Sequence, residues 1–147
     1  MAAPDTTPPF RILPQVTDLN RHFWTGGERG ALCFLRCRDC GTYIHPPVRV
    51  CPKDHSKNVE PEAVSGRAQV ASYTINHQPW MPGPELPYVV AIVEIEEDPT
   101  VRLTTNIVGC APEEVRIGMK VEVEFEKHPD GDETVWIPVF RPGKGGA

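Results

Sequence analysis

Three closely spaced cysteines constrain this chain more than any other feature of its sequence. Cys37 and Cys40 form a C-x2-C turn, and Cys51 follows in a Cys-Pro-Lys-Asp turn. The two thiols of one tight turn can bind one metal ion, and a thiol that returns after a hairpin-length gap can reach the same ion. Structural zinc sites take four such ligands in a tetrahedron, usually from two turns. We therefore predict a zinc ribbon.

The fourth ligand is less regular, because the second turn carries Asp54 where a cysteine is expected. We favour Asp54, which holds the required position, over His55, which is chemically suited to zinc but one residue out of phase. Cys33 and His45 are weaker alternatives. An oxygen ligand should bind zinc less tightly than a fourth thiolate. Two other interpretations stay open: a ribbon that has lost its metal, and a redox pair of the thioredoxin type.

Composition limits the remaining possibilities. The chain has 147 residues and 17 prolines, which fits one mainly β domain with a metal-stapled appendage better than a helical protein. No apolar run approaches the ~20 residues of a membrane span, and the first residues carry no basic region or apolar core of a secretory signal. Five cysteines, an odd number, suit a reducing compartment. We expect a cytoplasmic protein without a membrane segment.

Charge is unevenly distributed along the chain. The net charge of −5 disfavours general nucleic-acid binding, yet residues 29–57 hold six basic and two acidic residues, net +4. These cations either balance an electronegative metal site or form a patch for an anion or an acidic partner. The candidate anion- or partner-binding residues in this region are Arg36, Arg38, Arg49 and Lys53.

Hydrophobic patterning predicts the architecture. After a tail, a short helix capped by Thr17 or Asp18 should end at Thr25-Gly26-Gly27. Strands over 30–36 and 43–50 should flank the first cysteine turn, and residues 56–65 should form a polar connector. The predicted divisions are a mobile tail at 1–16, helix plus zinc ribbon at 17–60, an OB-fold barrel at 61–142, and a tail at 143–147.

Five short strands with alternating apolar residues follow the connector. The fourth is the clearest, since Val121, Val123 and Phe125 alternate with glutamates. Residues 112–116 should form one helical turn between the third and fourth strands. Five strands with a helix in this position predict a small closed barrel of the OB type. The barrel strands are predicted over 69–76, 88–97, 101–107, 121–125 and 135–140.

One loop is rich in residues typical of interfaces. Residues 76–87 carry four prolines together with Trp80 and Met81. Proline lowers the entropy that a loop loses when it is held in place, and aromatic and Met side chains are enriched at interfaces. We interpret this segment as a binding loop; the alternative is a lid over the end of the barrel.

No self-sufficient active site is evident in the sequence. It contains no Gly-rich phosphate loop and no Gly-x-Ser-x-Gly turn, and its five histidines are scattered. We therefore predict no catalytic residues and favour a binding or scaffolding subunit.

An ordered set of motifs over residues 18–142 resembles a known family. The motifs are Phe23-Trp24, Gly30, Leu32, Cys37-x2-Cys40-Gly41, Pro46-Pro47, Cys51-Pro52, Ser65-Gly66, Pro87-Tyr88, Ala91-x-Val93-Glu94, Ile117-Gly118, Val121 to Phe125, and Pro138-x-Phe140-x-Pro142. The chain resembles acyl-CoA-associated OB-fold proteins with an N-terminal rubredoxin-like zinc ribbon, long described only as a domain of unknown function. Asp54 departs from the family's fourth cysteine.

The resemblance implies an accessory subunit in a hetero-oligomer. Its partner would be a thiolase-superfamily aldolase that cleaves a steroid side-chain acyl-CoA by a retro-aldol reaction, or a MaoC-type enoyl-CoA hydratase. The acyl-CoA would lie at the shared interface, where the ribbon cations, Trp80 and Met81 could bind CoA or the partner. A nucleic-acid-binding ribbon plus OB module is a further alternative, disfavoured by the acidic barrel.

Overall fold

The computed structural model describes residues 10–143, and these form one short helix and eight strands. Two 3-10 turns, at Gly26–Arg29 and Pro112–Glu114, complete the regular structure. In chain order, the elements are α1 Arg21–Thr25, β1 Leu32–Cys37, β2 Tyr43–Ile44, β3 Val59–Val64, β4 Arg67–Asn76, β5 Tyr88–Ile95, β6 Arg102–Ile107, β7 Lys120–Asp130 and β8 Glu133–Pro142. The mainly β class is confirmed.

The ribbon is a three-stranded antiparallel sheet of order β2-β1-β3. The prediction of a connector over 56–65 is wrong, because β3 pairs along all of β1, from Leu32 opposite Val64 to Cys37 opposite Val59. The predicted strand over 43–50 is also too long. It ends at Ile44, and Pro46 and Pro47, which follow His45, have no N–H to donate to a neighbouring strand.

The second sheet is a closed five-stranded barrel of order β4-β5-β6-β8-β7. All neighbouring pairs are antiparallel except β6 and β8, where Ile107 lies opposite Phe140 in parallel register. Alternate residues of β5 face inward, so Val89, Ala91 and Val93 are buried. This confirms the predicted OB-type barrel, and the 3-10 turn at Pro112–Glu114 lies between its third and fourth strands, within the predicted helical turn.

The helix begins later than predicted. The Thr17 carbonyl accepts hydrogen bonds from the backbone N–H groups of Asn20 and Arg21, at 3.2 and 2.9 Å, so residues 17–20 form a turn and α1 starts at Arg21. Asn20 Oδ1 accepts the Thr17 N–H at 2.7 Å. Neither Thr17 nor Asp18 therefore caps the helix.

The helix and the turn after it pack on this chain's own barrel. Phe23 is buried in the same apolar core as Phe34 of β1 and Phe140 of β8. Gly27 lies against β7 and β8 so closely that an added Cβ would be 2.6 Å from Trp136 Cβ and 2.7 Å from the Phe125 ring. This contact joins the ribbon side of the molecule to the barrel.

The two ends of the chain are only partly described. Of the predicted tail at 1–16, residues 1–9 lie outside the described residues, whereas Arg11 pairs with Glu126 of β7, with Nε 2.6 Å from Oε1. Of the predicted tail at 143–147, only Gly143 is described, and its N–H donates to the Lys120 carbonyl at 2.9 Å. Over residues 10–143, no helix reaches the length and apolarity that crossing a bilayer requires.

Candidate metal centre and binding surfaces

The structure brings four of the sequence-predicted ligands together. One ligand atom each from Cys37, Cys40, Cys51 and Asp54 can be chosen so that all four lie within 4.8 Å of one another. Cys37 and Cys51 are fully buried, whereas Cys40 and Asp54 are exposed. The cluster therefore lies at the surface, with its two leading cysteines anchored in the ribbon core.

Two equivalent turns position these ligands. The Gly41 N–H donates to the Cys37 carbonyl at 2.9 Å, and the His55 N–H donates to the Cys51 carbonyl at 3.0 Å. Gly41 and His55 both have left-handed backbones, with φ of 80° and 59°. His55 thus occupies the position of Gly41, and Asp54 that of Cys40. This geometry favours Asp54 over His55 as the fourth ligand.

Interatomic distances in the cluster fit a tetrahedral ion. With Zn–S near 2.3 Å and Zn–O near 2.1 Å, two sulfurs of a tetrahedron lie about 3.8 Å apart, and sulfur and oxygen about 3.6 Å apart. Cys40 Sγ lies 3.6 Å from Cys51 Sγ, and Cys37 Sγ lies 3.5 Å from each Asp54 carboxylate oxygen. Three thiols and one carboxylate are a donor set that suits zinc.

Neighbouring groups favour the anionic forms of two ligands. The Thr42 hydroxyl, with Oγ1 3.1 Å from Cys40 Sγ, lowers the pKa of that thiol. The Ser56 N–H donates to Asp54 Oδ1 at 3.0 Å and lowers the pKa of that carboxyl. Both ligands are thereby prepared for metal binding, which requires deprotonated groups.

Two weaker ligand candidates lie outside the cluster. Cys33 is buried, with Sγ 3.8 Å from the Ala31 carbonyl oxygen. His45 packs against Phe23 and Phe34, with ring centroids 5.0 Å apart in both cases. Burial, together with the nearby His22, lowers the pKa of His45 to about 4. His45 is thus a packing residue of the ribbon.

Carboxylates of β3 neutralise two of the predicted anion-binding cations. Arg36 Nη1 lies 2.8 Å from Glu62 Oε2, and Arg38 Nη1 lies 3.0 Å from Glu62 Oε1. Arg38 also approaches Glu60 at 3.4 Å, and the Tyr43 hydroxyl donates to Glu62 at 2.9 Å. Arg36 is the main cause that lowers the pKa of Glu62. Sequence reasoning missed these carboxylates because their strand was interpreted as a connector.

The remaining two cations are free to meet a ligand. Arg49 and Lys53 are exposed near the cysteine turns, and neither forms an ion pair with another residue in the described range 10–143. A binding role for the ribbon cations therefore rests more on this pair than on Arg36 and Arg38.

The proline-rich loop presents its apolar residues to solvent. Trp80 is 76% exposed and Met81 is 36% exposed. The Trp80 indole N–H donates to Asn76 Oδ1 at 2.7 Å, and the Trp80 backbone N–H donates to the Gln78 carbonyl at 2.9 Å. These bonds orient the indole while most of its surface stays uncovered, which does not fit a lid folded over the barrel.

Two family models divide the chain. One, described as "ChsH2, rubredoxin-like zinc ribbon domain", matches residues 24–60, and the other, "ChsH2, C-terminal OB-fold domain", matches residues 61–126. The chain belongs to the ChsH2 family. The resemblance inferred from the motifs is thereby confirmed. The division of the ChsH2 models at 60/61 falls inside β3, and β8 lies beyond their matched residues.

Relatives of this ChsH2-family chain carry two kinds of description. A "DUF35 domain-containing scaffold protein" of Methanocaldococcus jannaschii is 41% identical over 111 residues, covering 74% of this chain and 77% of the relative. A "3-oxo-4,17-pregnadiene-20-carboxyl-CoA hydratase alpha subunit" of Mycobacterium tuberculosis is 34% identical over 134 residues, 91% of this chain. A "Probable enoyl-CoA hydratase alpha subunit" of Thermomonospora curvata is 37% identical over 133 residues, 90% of this chain. The chain spans only 40–42% of the length of these two hydratase subunits.

A solved structure extends the ChsH2 likeness to three dimensions. A chain of the structure described as "Ltp2-ChsH2(DUF35) aldolase" superposes with a TM-score of 0.76 at 38% identity. The match covers 88% of this chain and 98% of that one.

Proposed function

We propose that this chain is a non-catalytic accessory subunit of an acyl-CoA-processing complex. Its partner is a thiolase-like aldolase that cleaves a steroid side-chain acyl-CoA by a retro-aldol reaction. The partner supplies the acid and base groups, whereas this chain supplies shape and charge at the shared interface.

The likeness to a chain of the solved structure described as "Ltp2-ChsH2(DUF35) aldolase" carries this proposal. That chain is matched over 98% of its length at 38% identity. This identity is high enough to support a shared role as well as a shared fold. The steroid specificity is supported by the name of the mycobacterial relative, a "3-oxo-4,17-pregnadiene-20-carboxyl-CoA hydratase alpha subunit".

The ribbon and the loop take separate roles in the proposal. Arg49 and Lys53, with the partly neutralised Arg36 and Arg38, face CoA phosphates or acidic groups of the partner. Trp80 and Met81 anchor the interface or line the acyl channel, as exposed aromatic and Met side chains do at protein interfaces.

Zinc has a structural role in this proposal. Cys37, Cys40, Cys51 and Asp54 would hold it, and the ion would fasten the two cysteine turns together without chemistry of its own. None of the five cysteines, all within residues 10–143, forms a disulfide, which fits a reducing, cytoplasmic location.

Co-expression with a thiolase-like protein tests the function. We expect one co-eluting complex that cleaves steroid acyl-CoA thioesters, and no turnover by the isolated chain. Monodisperse behaviour without affinity for such a protein, or turnover by this chain alone, would contradict the proposal.

A MaoC-type enoyl-CoA hydratase is the second candidate partner, favoured by the two hydratase alpha subunits among the relatives. The two reactions separate the candidates. A complex that hydrates an enoyl-CoA, without releasing a retro-aldol product, would assign the hydratase.

A further inference from the structure

The segment Phe10–Leu13, here called the strap, is held against the barrel by one arginine. Arg11 donates from Nε and Nη2 to the two carboxylate oxygens of Glu126, at 2.6 and 3.2 Å, and from Nη1 to Asn106 Oδ1 at 2.9 Å. Arg11 and Glu126 are 24% and 16% exposed, so this bidentate pair is largely shielded from water. Such paired, planar bonds fix orientation as well as adding energy.

The strap also contacts the proline-rich loop. An added Cβ on Gly83 would lie 2.7 Å from Phe10 Cβ and 3.3 Å from the Phe10 ring, so this ring lies directly on the Gly83 backbone. Gly83 has φ of 116°, a conformation that only glycine adopts readily. Strap and loop therefore form one continuous surface.

Four apolar side chains project from this surface, which we call the apolar platform. Phe10 is 57% exposed, Ile12 and Trp80 are each 76% exposed, and Met81 is 36% exposed. A large apolar side chain in water is uninformative alone, but several on two contacting segments are typical of an interaction site.

We propose that the apolar platform receives the catalytic partner subunit, and that the strap is part of the interface. This inference rests on the proposed function and adds to it the surface of this chain that the partner contacts. The partner's matching surface must be apolar, because the four platform side chains carry no charge and Arg11 is already neutralised by Glu126.

The area available fits a stable heteromeric contact. An aromatic side chain buries ~150–250 Å², so the exposed parts of Phe10 and Trp80 offer about 200–330 Å² together. One partner contributes about 800 Å² to a standard interface. Two rings thus supply about a third of that share, with Ile12, Met81 and the loop prolines around them.

Affinity for the partner tests the platform. The wild-type chain is tagged and expressed in its native cell, the co-purifying thiolase- or hydratase-type subunit is identified by mass spectrometry, and its Kd is measured with purified proteins. We expect Trp80→Ala to raise the Kd about thirtyfold or more, as for an interface hot spot. The double variant Phe10→Ala/Ile12→Ala should raise it at least about tenfold.

Two further variants separate the platform from general effects. Ile117→Ala is the matched control, because Ile117 is also an exposed apolar residue, at 72%, but lies far from the platform. Its neighbour Gly118 donates a backbone hydrogen bond to the Val70 carbonyl on β4. Val70 is six residues before Asn76, where the proline-rich loop begins, a distance of ~20 Å along the strand. Its Kd should stay within about twofold of wild type. Arg11→Ala keeps every platform side chain but releases the strap, and should also weaken binding.

Each outcome decides the matter. We also expect the variants to keep the melting temperature of the wild-type chain. The amides of Phe10–Leu13 should be protected from hydrogen exchange only in the complex. Capture of the subunit with wild-type Kd in the strap variants overturns the platform but leaves the proposed function intact. Failure to capture such a subunit overturns both. A homodimer in light scattering that Trp80→Ala dissolves also overturns the platform, because its occupant would be a second copy.

Discussion

Asp54 differs from the other three ligands in both hardness and surroundings. It is exposed, its carboxylate accepts the Ser56 N–H at 3.0 Å, and oxygen is a harder donor than sulfur. We expect a zinc site that is weaker than a four-thiolate site but still formed, because the turn geometry around Asp54 matches that of Cys40.

Substitutions at Asp54 should change zinc affinity in opposite directions. Asp54→Ala removes a ligand and should raise the zinc Kd about tenfold or more, whereas Asp54→Cys completes a thiolate set and should lower it. Competition with a chromophoric chelator measures both.

His55→Ala is the matched control for this pair, since His55 adjoins the ligand but lies outside the cluster. It should leave the zinc Kd within about twofold of wild type. A large loss of zinc affinity in His55→Ala, with no loss in Asp54→Ala, would make His55 rather than Asp54 the fourth ligand. Protein purified with far less than one equivalent of zinc would contradict the site itself.

His45 should make stability depend on pH. Its folded-state pKa is lowered to about 4 by burial, against ~6.5 in an unfolded chain. Between these values the unfolded chain binds a proton that the folded chain does not, so the free energy of unfolding falls as pH falls from 6.5 to 4. The ring is partly exposed, so we expect a loss of about 1–2 kcal/mol rather than the full linkage value.

Denaturant unfolding at several pH values measures this loss. His45→Phe keeps the aromatic packing against Phe23 and Phe34 and all four zinc ligands, and should flatten the slope between pH 6.5 and 4. An equal slope in wild type and His45→Phe would assign the pH dependence to other groups, such as the metal ligands.

At the scale of elements, the close approach of the 3-10 turn to β7 and β8 holds the two sheets together. Gly27→Ala places a methyl group within 2.6 Å of Trp136 Cβ, and overpacking of this kind costs about 1–3 kcal/mol. We expect a lower melting temperature by calorimetry. Glu28→Ala, at the exposed next position, is the control, and an equal effect of both would argue against the close contact.

The elements also show what sequence could predict. Inward alternation in β5, β6 and β7 predicts the barrel because each strand buries one face and exposes the other. β3 was not predicted, because tertiary contacts rather than a local sequence pattern stabilise it as a strand. Glu60, Pro61 and Glu62 suggest a connector, but β3 is an edge strand, where proline is tolerated. Its glutamates pair with Arg36 on the neighbouring strand β1 and with Arg38 just after that strand.

The metal ligands, like the barrel strands, could be predicted from local patterns in the sequence, whereas the strap, like β3, could not. The spacing of Cys37, Cys40, Cys51 and Asp54 predicts the cluster because local turns fix it. The strap was predicted as mobile, since no local pattern indicates that Arg11 meets Glu126, which is 115 residues away. Long-range ion pairs leave no periodic trace in a single sequence.

At the scale of the whole molecule, two separate apolar cores imply unequal dependence on metal. Within residues 10–143, the buried members of the ribbon core are Leu35, Ile44 and two candidate ligands, Cys37 and Cys51. The barrel core is much larger and includes Phe23, Leu32 and Phe34 from the ribbon side. A core as small as that of the ribbon usually needs a metal or a disulfide.

Metal removal should therefore loosen the ribbon before the barrel. Treatment with a strong zinc chelator should abolish hydrogen-exchange protection over residues 37–59 while amides of β5 and β6 stay protected. Hydrogen exchange with mass spectrometry resolves the two regions. Simultaneous loss in both would mean that the contact at Gly27 couples them into one cooperative unit.

The position of β3 has a consequence for how such proteins are cut and recombined. Its six residues cross the division that the family models place at 60/61. A fragment that starts at residue 61 would contain most of β3 without β1, the strand that β3 pairs with. The remaining ribbon would expose the unpaired edge of β1, and such an edge can template aggregation. Chimeras that exchange ribbons between relatives should keep the chain intact through Val64 and join it at Ser65-Gly66.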